Sequence, residues 1–250
     1  MSSSEVAQYL DGLLKIAEIP DYPNAYNGLQ VENAGQVRRI AAAVDASEAA
    51  IRAAAKRGCN LLLVHHGLFW DGAAPLTGRR YRKVKLLVEH DIAVYSAHLP
   101  LDLHPELGNN ALLANALGVN VRETFGTFHE VPIGVAGTLE IRREALAARL
   151  DDLLGARVRM LAGGPERVSR VGIVTGGAGD MIRQAAEAQL DAFITGEGAH
   201  HTYFDAMEYG VNVYYAGHYA TETFGVRALA AHLEETFGVS WEFLDLPTGM

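Results

Sequence analysis

Six residues whose side chains can bind a metal ion follow predicted buried strands in this sequence. They are His65, His66, His98, Asp102, His218 and Glu222. Imidazole nitrogens with carboxylate oxygens form the ligand set of divalent transition metals such as zinc, iron or manganese. Histidines with two carboxylates able to bridge fit a centre of two ions, which typically lie ~3.5–4 Å apart. The alternative is that each residue acts separately in the core or at a helix end. The recurrence of one pattern along the chain favours the metal site.

Apolar runs predict the strands that would position these side chains. The run 61–64 ends at the paired histidines, and the run 92–97 ends at His98. A strand–helix–strand unit is predicted over 38–66, which suits a parallel sheet. Open α/β sheets bind ligands at the carboxyl ends of their strands, so these histidines lie where a ligand is expected.

The same order of elements recurs in the second half of the chain. Residues 170–175 resemble 39–44, the predicted helix 181–189 resembles 48–57, 190–196 resembles 59–65, and 211–218 resembles 92–98. A repeat of this kind predicts duplicated structural units. We therefore expect an α/β fold of two similar, intertwined α/β lobes with a metal site between them. The expected segments are a first lobe over 1–120, a connecting strand and helix segment over 121–168, and a second lobe over 169–250.

The composition limits the classes of function. The chain has 250 residues, 49% of them hydrophobic, and a net charge of −9, which argues against nucleic acid or an anionic membrane as a partner. The single cysteine, Cys59, excludes an intramolecular disulfide and fits a cytoplasmic location. We expect no signal peptide, because the first residues lack a basic region and an apolar core. No apolar run approaches the ~20 residues of a transmembrane helix.

Other polar segments allow two interpretations each. Glu197 and His201, in the second-half counterpart of the histidine segment, could support the site or lie on the surface, and the role of His200 is equally open. The Gly-rich turn 175–180 could bind a phosphate on backbone N–H groups, but tight-turn geometry fits its spacing better. The apolar trio 68–70 indicates a cavity rim or a subunit contact. The remaining histidines are expected at the surface, and they are His90, His104, His129 and His232.

Motifs along almost the whole chain resemble those of the Nif-three-like family of di-metal proteins, whose members are often called GTP cyclohydrolase I type-two homologues. The matching motifs are Asn27-Gly28-Leu29-Gln30-Val31, Val44-Asp45-Ala46-Ser47, Val64-His65-His66-Gly67-Leu68-Phe69-Trp70, His98-Leu99-Pro100-Leu101-Asp102, Thr195-Gly196-Glu197 and Gly217-His218-Tyr219-Ala220-Thr221-Glu222. The resemblance implies that the direct metal ligands are His65, His66, Asp102, His218 and Glu222. It implies about two divalent ions per chain, with His98 close to them as a candidate for proton transfer. It also implies a toroidal homohexamer whose metal sites face an inner cavity.

Two functions fit this interpretation. The first is a metal-dependent hydrolase of a nucleotide or another phosphate-containing small molecule, similar to a GTP cyclohydrolase. A bound ion would supply hydroxide by lowering the pKa of water to about 7, and His98, or less readily Glu197, would transfer the proton. The second is a non-catalytic metal-binding oligomer that acts as a scaffold or regulator. The sequence names neither the metal nor the substrate, because mixed nitrogen and oxygen ligands accept several metals.

Overall fold

The computed structural model describes residues 1–72 and 74–249, which group into two compact units. Unit 1 comprises Met1–His104 and Gly225–Leu246, and unit 2 comprises Pro105–Phe224 and Pro247–Met250. Each unit has its own β-sheet with helices packed on it, so the fold is mixed α/β. Each unit is assembled from two separate parts of the chain.

Unit 1 contains a five-stranded sheet in the order β1-β4-β3-β2-β11. Its strands are β1 (Gly28–Val31), β2 (Arg39–Asp45), β3 (Leu61–His66), β4 (Ala93–Ser96) and β11 (Ser240–Phe243). Its helices are α1 (Ser3–Leu13), α2 (Glu48–Lys56), α3 (Gly78–Glu89), the short α4 (Leu99–Asp102) and α10 (Thr223–Phe237), which begins at the boundary with unit 2. The strands β2, β3 and β4 run parallel, while β1 pairs antiparallel with β4 at the edge.

Apolar side chains on both faces explain why β2 and β3 are central strands. Residues 40–44 and 61–65 are all buried, as expected for a parallel sheet covered on both sides. On one face lies a core cluster that includes Ile51 of α2, Leu62 of β3 and Leu87 of α3. Ser47 caps α2 by accepting a hydrogen bond from the Ala50 N–H. This bond satisfies one of the first backbone N–H groups, which have no acceptor within the helix.

Unit 2 contains a six-stranded sheet in the order β5-β6-β8-β9-β10-β7. Its strands are β5 (Asn120–Phe128), β6 (Val131–Arg142), β7 (Arg159–Ala162), β8 (Arg167–Ile173), β9 (Ala192–Thr195) and β10 (Asn212–Tyr215). Its helices are α5 (Asn109–Leu117), α6 (Arg143–Leu154), α7 (Ile182–Glu187), α8 (Thr202–Tyr209) and the short α9 (His218–Thr221), with a 3-10 turn at Gly179–Met181. The segment expected to connect the lobes begins with a long antiparallel hairpin of β5 and β6, of which β5 was not predicted.

The internal repeat predicted from the sequence is confirmed by strand order and direction. In unit 2, β8, β9 and β10 are parallel and β7 pairs antiparallel with β10, as β2, β3, β4 and β1 do in unit 1. A short helix follows the last strand of each set, α4 after β4 and α9 after β10. The two halves of the chain therefore repeat one arrangement of elements and present equivalent strand ends.

The two units exchange the helix that follows each repeat. The first repeat is followed by α5, which belongs to unit 2, whereas the second is followed by α10, most of which belongs to unit 1. The strand β11 continues this exchange by adding parallel to β2. Each unit is thus built from both halves of the chain. No helix within residues 1–72 and 74–249 is long and apolar enough to cross a membrane.

Candidate metal centre

Three histidines of unit 1 lie together at the carboxyl ends of β3 and β4. His65 and His66 are the last two residues of β3, and His98 immediately precedes α4. One nitrogen from each of the three rings lies within 4.8 Å of the others, a spacing that allows all three to hold one metal ion. We call these residues the histidine cluster. His65 is fully buried and His98 nearly so, which shields the cluster from bulk water.

Each ring of the histidine cluster is held through its Nδ1 atom by an oxygen. His65 Nδ1 lies 2.8 Å from the carbonyl oxygen of Ala97, and His66 Nδ1 lies 2.9 Å from Oδ1 of Asp45. His98 Nδ1 lies 2.8 Å from Oδ1 of Asp21. Because a carbonyl or a carboxylate can only accept, Nδ1 carries the proton in each neutral ring and Nε2 keeps its lone pair. This arrangement is typical of metal-binding histidines, which donate their other N–H to such partners.

Asp45 reaches His66 because the two residues are neighbours in the sheet. Strand β2 ends at Asp45, which pairs directly with His66 of the parallel strand β3. Ser47 rather than Asp45 caps α2. Asp45 is therefore available to orient an imidazole.

Asp21 was missed by the sequence analysis, although it organises the surroundings of His98. Its Oδ1 accepts from His98 Nδ1, and its Oδ2 accepts from the Leu99 N–H and the Asn27 amide. Burial alone would raise the pKa of Asp21, but hydrogen bonds from His98, Asn27 and the Tyr22 N–H, together with the charge of His98, lower it below its usual value. The backbone N–H of His98 donates to Asn27 Oδ1. The only signal in the sequence was Asn27 in the recognised Asn-Gly motif.

Asp102 brings a carboxylate to the same end of the sheet. It is the last residue of α4 and is 7% exposed. Its Oδ2 lies 3.5 Å from Nε2 of His65, the nitrogen that faces away from Ala97. The carboxylate oxygen and the lone pair on Nε2 are both acceptors. Their proximity is therefore the arrangement expected of two ligands of one cation.

Unit 2 repeats this arrangement with His218 and Glu222. His218 begins α9 after β10, and Glu222 directly follows the same helix. The ring of His218 lies between two carboxylates: Nδ1 is 2.8 Å from Oε1 of Glu197 and Nε2 is 3.2 Å from Oε2 of Glu222. Burial alone would lower the pKa of His218, but hydrogen bonds and charges of Glu222 and Glu197 raise it to about 9. In the metal-free state, the ring of His218 is therefore protonated, and its positive charge lies between the two carboxylates.

The Gly-rich turn after β8 packs against this second set. A Cβ atom on Gly176 would lie 2.2 Å from Oε1 of Glu222, and Gly176 has a φ of +71° that favours glycine. A Cβ on Gly196 would lie 2.6 Å from the Cα of His218. The glycines are thus explained by close packing around His218 and Glu222. This result supports the tight-turn interpretation of the segment.

The remaining candidates lie apart from these groups or orient them. Glu197 orients His218, whereas His201 is exposed and lies 3.3 Å from Asp180. His200 is exposed and packs edge-on against Phe204. His232 is not simply a surface residue, since its Nε2 lies 2.6 Å from the Tyr9 hydroxyl. Of the other histidines, His90 and His129 are exposed and His104 is partly buried. The only cysteine, Cys59, is buried in the core of unit 1, and burial raises its pKa to about 11.

The donor atoms fit a divalent transition metal. Unit 1 offers three imidazoles and one carboxylate, and unit 2 offers one imidazole and a buried carboxylate at the equivalent strand end. Thiolates are absent from both sets, so hard and borderline metals that accept nitrogen and oxygen are favoured. His65, His66 and His98 are placed so that they could hold a metal ion. The assignment of His65, His66, Asp102, His218 and Glu222 as direct ligands stays a prediction.

Comparisons with known proteins agree with this fold and these motifs. The profile of the Duf34/NIF3 (NGG1p interacting factor 3) family matches residues 1–248. A protein of Deinococcus radiodurans called GTP cyclohydrolase 1 type 2 homolog is 45% identical over 248 residues, covering 98% of this chain and 94% of the relative. The solved structure of protein ybgI, described as of unknown function, is 39% identical with a TM-score of 0.94, and each chain is covered completely. The crystal structure of TTHA1606 from Thermus thermophilus is 41% identical with a TM-score of 0.91, again over 100% of both chains.

Proposed function

This chain belongs to the Duf34/NIF3 family, and we propose that it is a dinuclear metal-binding protein that acts as a metal-dependent hydrolase. The observation that carries the proposal is the histidine cluster with every Nδ1 held by an oxygen. The Nε2 atoms of His65 and His66 can then bind a cation, while Nε2 of His98 can take a proton. The proposed direct ligands are His65, His66, Asp102, His218 and Glu222. They come from both units, and the equivalent strand ends of the duplicated fold support combining them in one centre.

The chain's own residues prepare this site in three ways. Asp45, Asp21 and the Ala97 carbonyl fix the three imidazoles of unit 1, and Glu197 fixes His218. A divalent ion bound there would supply Lewis acidity and lower the pKa of water near its substrate. Side chains that are already held in position favour catalysis at such a site, because the ligands do not have to reorganise during the reaction.

We assign proton transfer to His98. Its Nδ1 is held by the ionised carboxylate of Asp21, whose pKa is lowered, so an imidazolium formed when Nε2 takes a proton would be stabilised in place. A histidine held in this way can act as a general base and then as a general acid. Replacing His98 with Gln should therefore lower turnover while leaving the metal content largely unchanged. A large loss of metal would instead make His98 a ligand.

The proposed substrate is a nucleotide or another phosphate-containing small molecule, and ring opening of GTP is the first reaction to test. Support comes from relatives called GTP cyclohydrolase 1 type 2 homologs. We also propose a cytoplasmic homohexamer, following the family resemblance of the motifs. The test is an activity screen of metal-loaded protein with nucleotides, cyclic nucleotides and pterin precursors. Turnover that disappears in Glu222→Gln supports the hydrolase. Full metal occupancy without turnover in this panel would favour the metal-binding scaffold or regulator.

A further inference from the structure

A separate cavity of about 270 Å³ lies in unit 1 beside the loop that follows the paired histidines. Part of its wall comes from α3 and the rest from β1 and the loop. Its lining residues include both basic and apolar side chains. None of them belongs to the proposed metal ligands. The volume suits a small organic molecule rather than a polymer.

One side of the cavity is strongly basic. Arg79, Arg80 and Lys83 all project from the first two turns of α3, and the only carboxylate in the lining is Asp71. Asp71 pairs with Arg79 and lies 3.8 Å from Arg80. Three cations and one carboxylate leave two positive charges, which match the charge of a phosphate or phosphonate dianion.

Lys83 supplies the least compensated of these charges. It is half-buried, and among residues 1–72 and 74–249 no hydrogen bond or ion pair to its ammonium is found. Burial and the neighbouring Arg79 and Arg80 lower the pKa of Lys83 more than the charges of Asp71 and Asp45 raise it. An anion bound in the cavity would stabilise the charged form of Lys83. It would replace the hydration that the ammonium loses on burial and would offset the repulsion from the neighbouring arginines.

Arg80 is held in position and retains donors for a ligand. Its Nη2 donates to the carbonyl of Gly72 at 2.8 Å, and its Nη1 donates to that of Ala74 at 3.3 Å. The side chain is only 13% exposed. A guanidinium has five N–H donors, so those not directed at the two carbonyls can bind an anion. The loop thus presents Arg80 in one orientation.

Another part of the lining is apolar and is supported by hydrogen bonds. Leu68 and Phe69 line it, and the Leu68 N–H donates to Oε1 of Gln30 at 2.7 Å. Gln30 in turn donates to the carbonyls of Ala25 and Tyr26. The aliphatic side chains of Val31, Leu76 and Val84 complete this wall. A planar apolar group placed there would bury surface against fixed partners.

We propose that this cavity is a binding site for a small organic phosphate, with the phosphate at Lys83 and Arg80 and a flat apolar moiety against Leu68 and Phe69. The site is distinct from the metal centre, because it uses the basic face of α3 rather than the strand-end histidines. The two are connected by one loop: Trp70 packs edge-on against His66 and His98, with ring centroids 5.5 Å and 4.8 Å away. An occupant in contact with Phe69 therefore touches the segment that covers the histidine cluster.

Isothermal titration calorimetry with phenylphosphonate and methylphosphonate tests the proposal on metal-loaded full-length protein. These dianions differ only in the apolar group, and neither can be hydrolysed as an ester. We expect phenylphosphonate to bind at least about tenfold more tightly, because only its ring reaches the apolar wall. Lys83→Met should weaken phenylphosphonate binding by about tenfold or more, since a charge-assisted contact is lost. Leu76→Ala should weaken phenylphosphonate binding and leave methylphosphonate binding unchanged.

Two variants separate this cavity from binding elsewhere on the protein. Lys85→Met removes a cation from the same helix, where Lys85 pairs with Glu89 outside the cavity, and should bind phenylphosphonate like the wild type. Glu222→Gln alters the proposed metal centre and should also retain binding. Equal affinity for the two phosphonates, or an unchanged affinity in Lys83→Met, would overturn the proposal. Binding that is lost in Glu222→Gln but kept in Lys83→Met would place the ligand on the metals and would likewise overturn it.

Discussion

The Nδ1 atom of His98 lies 2.8 Å from Oδ1 of Asp21, a carboxylate 77 residues earlier in the chain. The same carboxylate accepts hydrogen bonds from the Leu99 N–H and the Asn27 side chain. Asp21 thereby joins the loop before β1 to the start of α4, where one candidate metal ligand and one candidate proton carrier are located. Four imidazoles at the ends of β3, β4 and β10 have their Nδ1 atoms held by oxygens. This shared feature is the structural basis of the proposed metal centre.

Replacing Asp21 with Ala should destabilise the protein and lower activity. Four donors would lose their acceptor in a largely buried position, which costs roughly 2–3 kcal/mol in the free energy of unfolding. They are the His98 ring, the Asn27 amide and the N–H groups of Tyr22 and Leu99. Urea denaturation measures this loss. Asp21→Asn is the matched variant, because its amide oxygen keeps one acceptor, and it should be destabilised less. Equal stability of Asp21→Ala and the wild type would contradict the role given to this carboxylate.

Replacing Asp45 with Ala should weaken metal binding without removing a ligand. His66 would lose the oxygen that orients its ring, and changes to such supporting partners typically cost about 10–100-fold in metal affinity. Competition with a chromogenic chelator measures the affinity. Glu18→Ala removes an exposed carboxylate from unit 1 and serves as the control. The role of Asp45 is refuted if both variants bind metal like the wild type.

Gly176→Ala should displace Glu222 and reduce metal content. The new Cβ would lie 2.2 Å from Oε1 of Glu222, and the φ of +71° adds backbone strain of about 1 kcal/mol. Gly210→Ala is a matched control, since Gly210 has a φ of +72° and an added Cβ there would lie 4.0 Å from its nearest neighbour, the Gly163 carbonyl oxygen. Both variants should lose stability, but only Gly176→Ala should lose metal. Equal metal content in the two would contradict the packing argument.

Metal binding near neutral pH should release a proton from His218. Its pKa of about 9 in the metal-free protein means that the ring is protonated at neutral pH, and a ligand must give up that proton. Metal affinity should therefore rise with pH up to about 9. Calorimetry in buffers of different ionisation enthalpy measures the released protons. Glu197→Gln removes one of the charges that raise this pKa and should reduce the release, whereas the same release in both proteins would exclude His218 as its source.

The same pKa predicts how the metal-free protein responds to alkali. The folded pKa of His218 exceeds the ordinary value of 6.5, so its ion pairs stabilise the fold fully below pH 6.5. This contribution should be lost as the pH rises from 6.5 through about 9. Thermal unfolding of chelator-treated protein across that range should show a decrease in Tm that is smaller in His218→Gln. A decrease of the same size in His218→Gln would assign the effect to other groups.

The sequence predicted the strands that carry the site because their signals are local. Continuous apolar runs ending in histidine mark β3 and β4, and the same pattern marks β10 before His218. The recurrence of these runs also predicted the duplicated α/β architecture. The hairpin strand β5 gave no such signal, because its first five residues are exposed and lack apolar alternation.

The partners of the histidines could not be predicted because they depend on tertiary contacts. Asp21 lies in a Pro-rich loop without periodicity, and Asp45 reaches His66 only because β2 and β3 pair in the sheet. The exchange of α5 and α10 between the units was also hidden, since an amphipathic helix pattern does not identify which sheet its apolar face will cover. The basic cavity required α3 to be placed beside the loop that follows His66.

Elemental analysis of protein purified without chelators tests the metal centre most directly. We expect about two divalent transition-metal ions per chain in the wild type. His66→Ala and Glu222→Gln should each reduce that content, whereas His90→Ala, at an exposed position, should retain it. Less than one ion per chain in the wild type, or unchanged content in both site variants, would contradict the proposed metal centre.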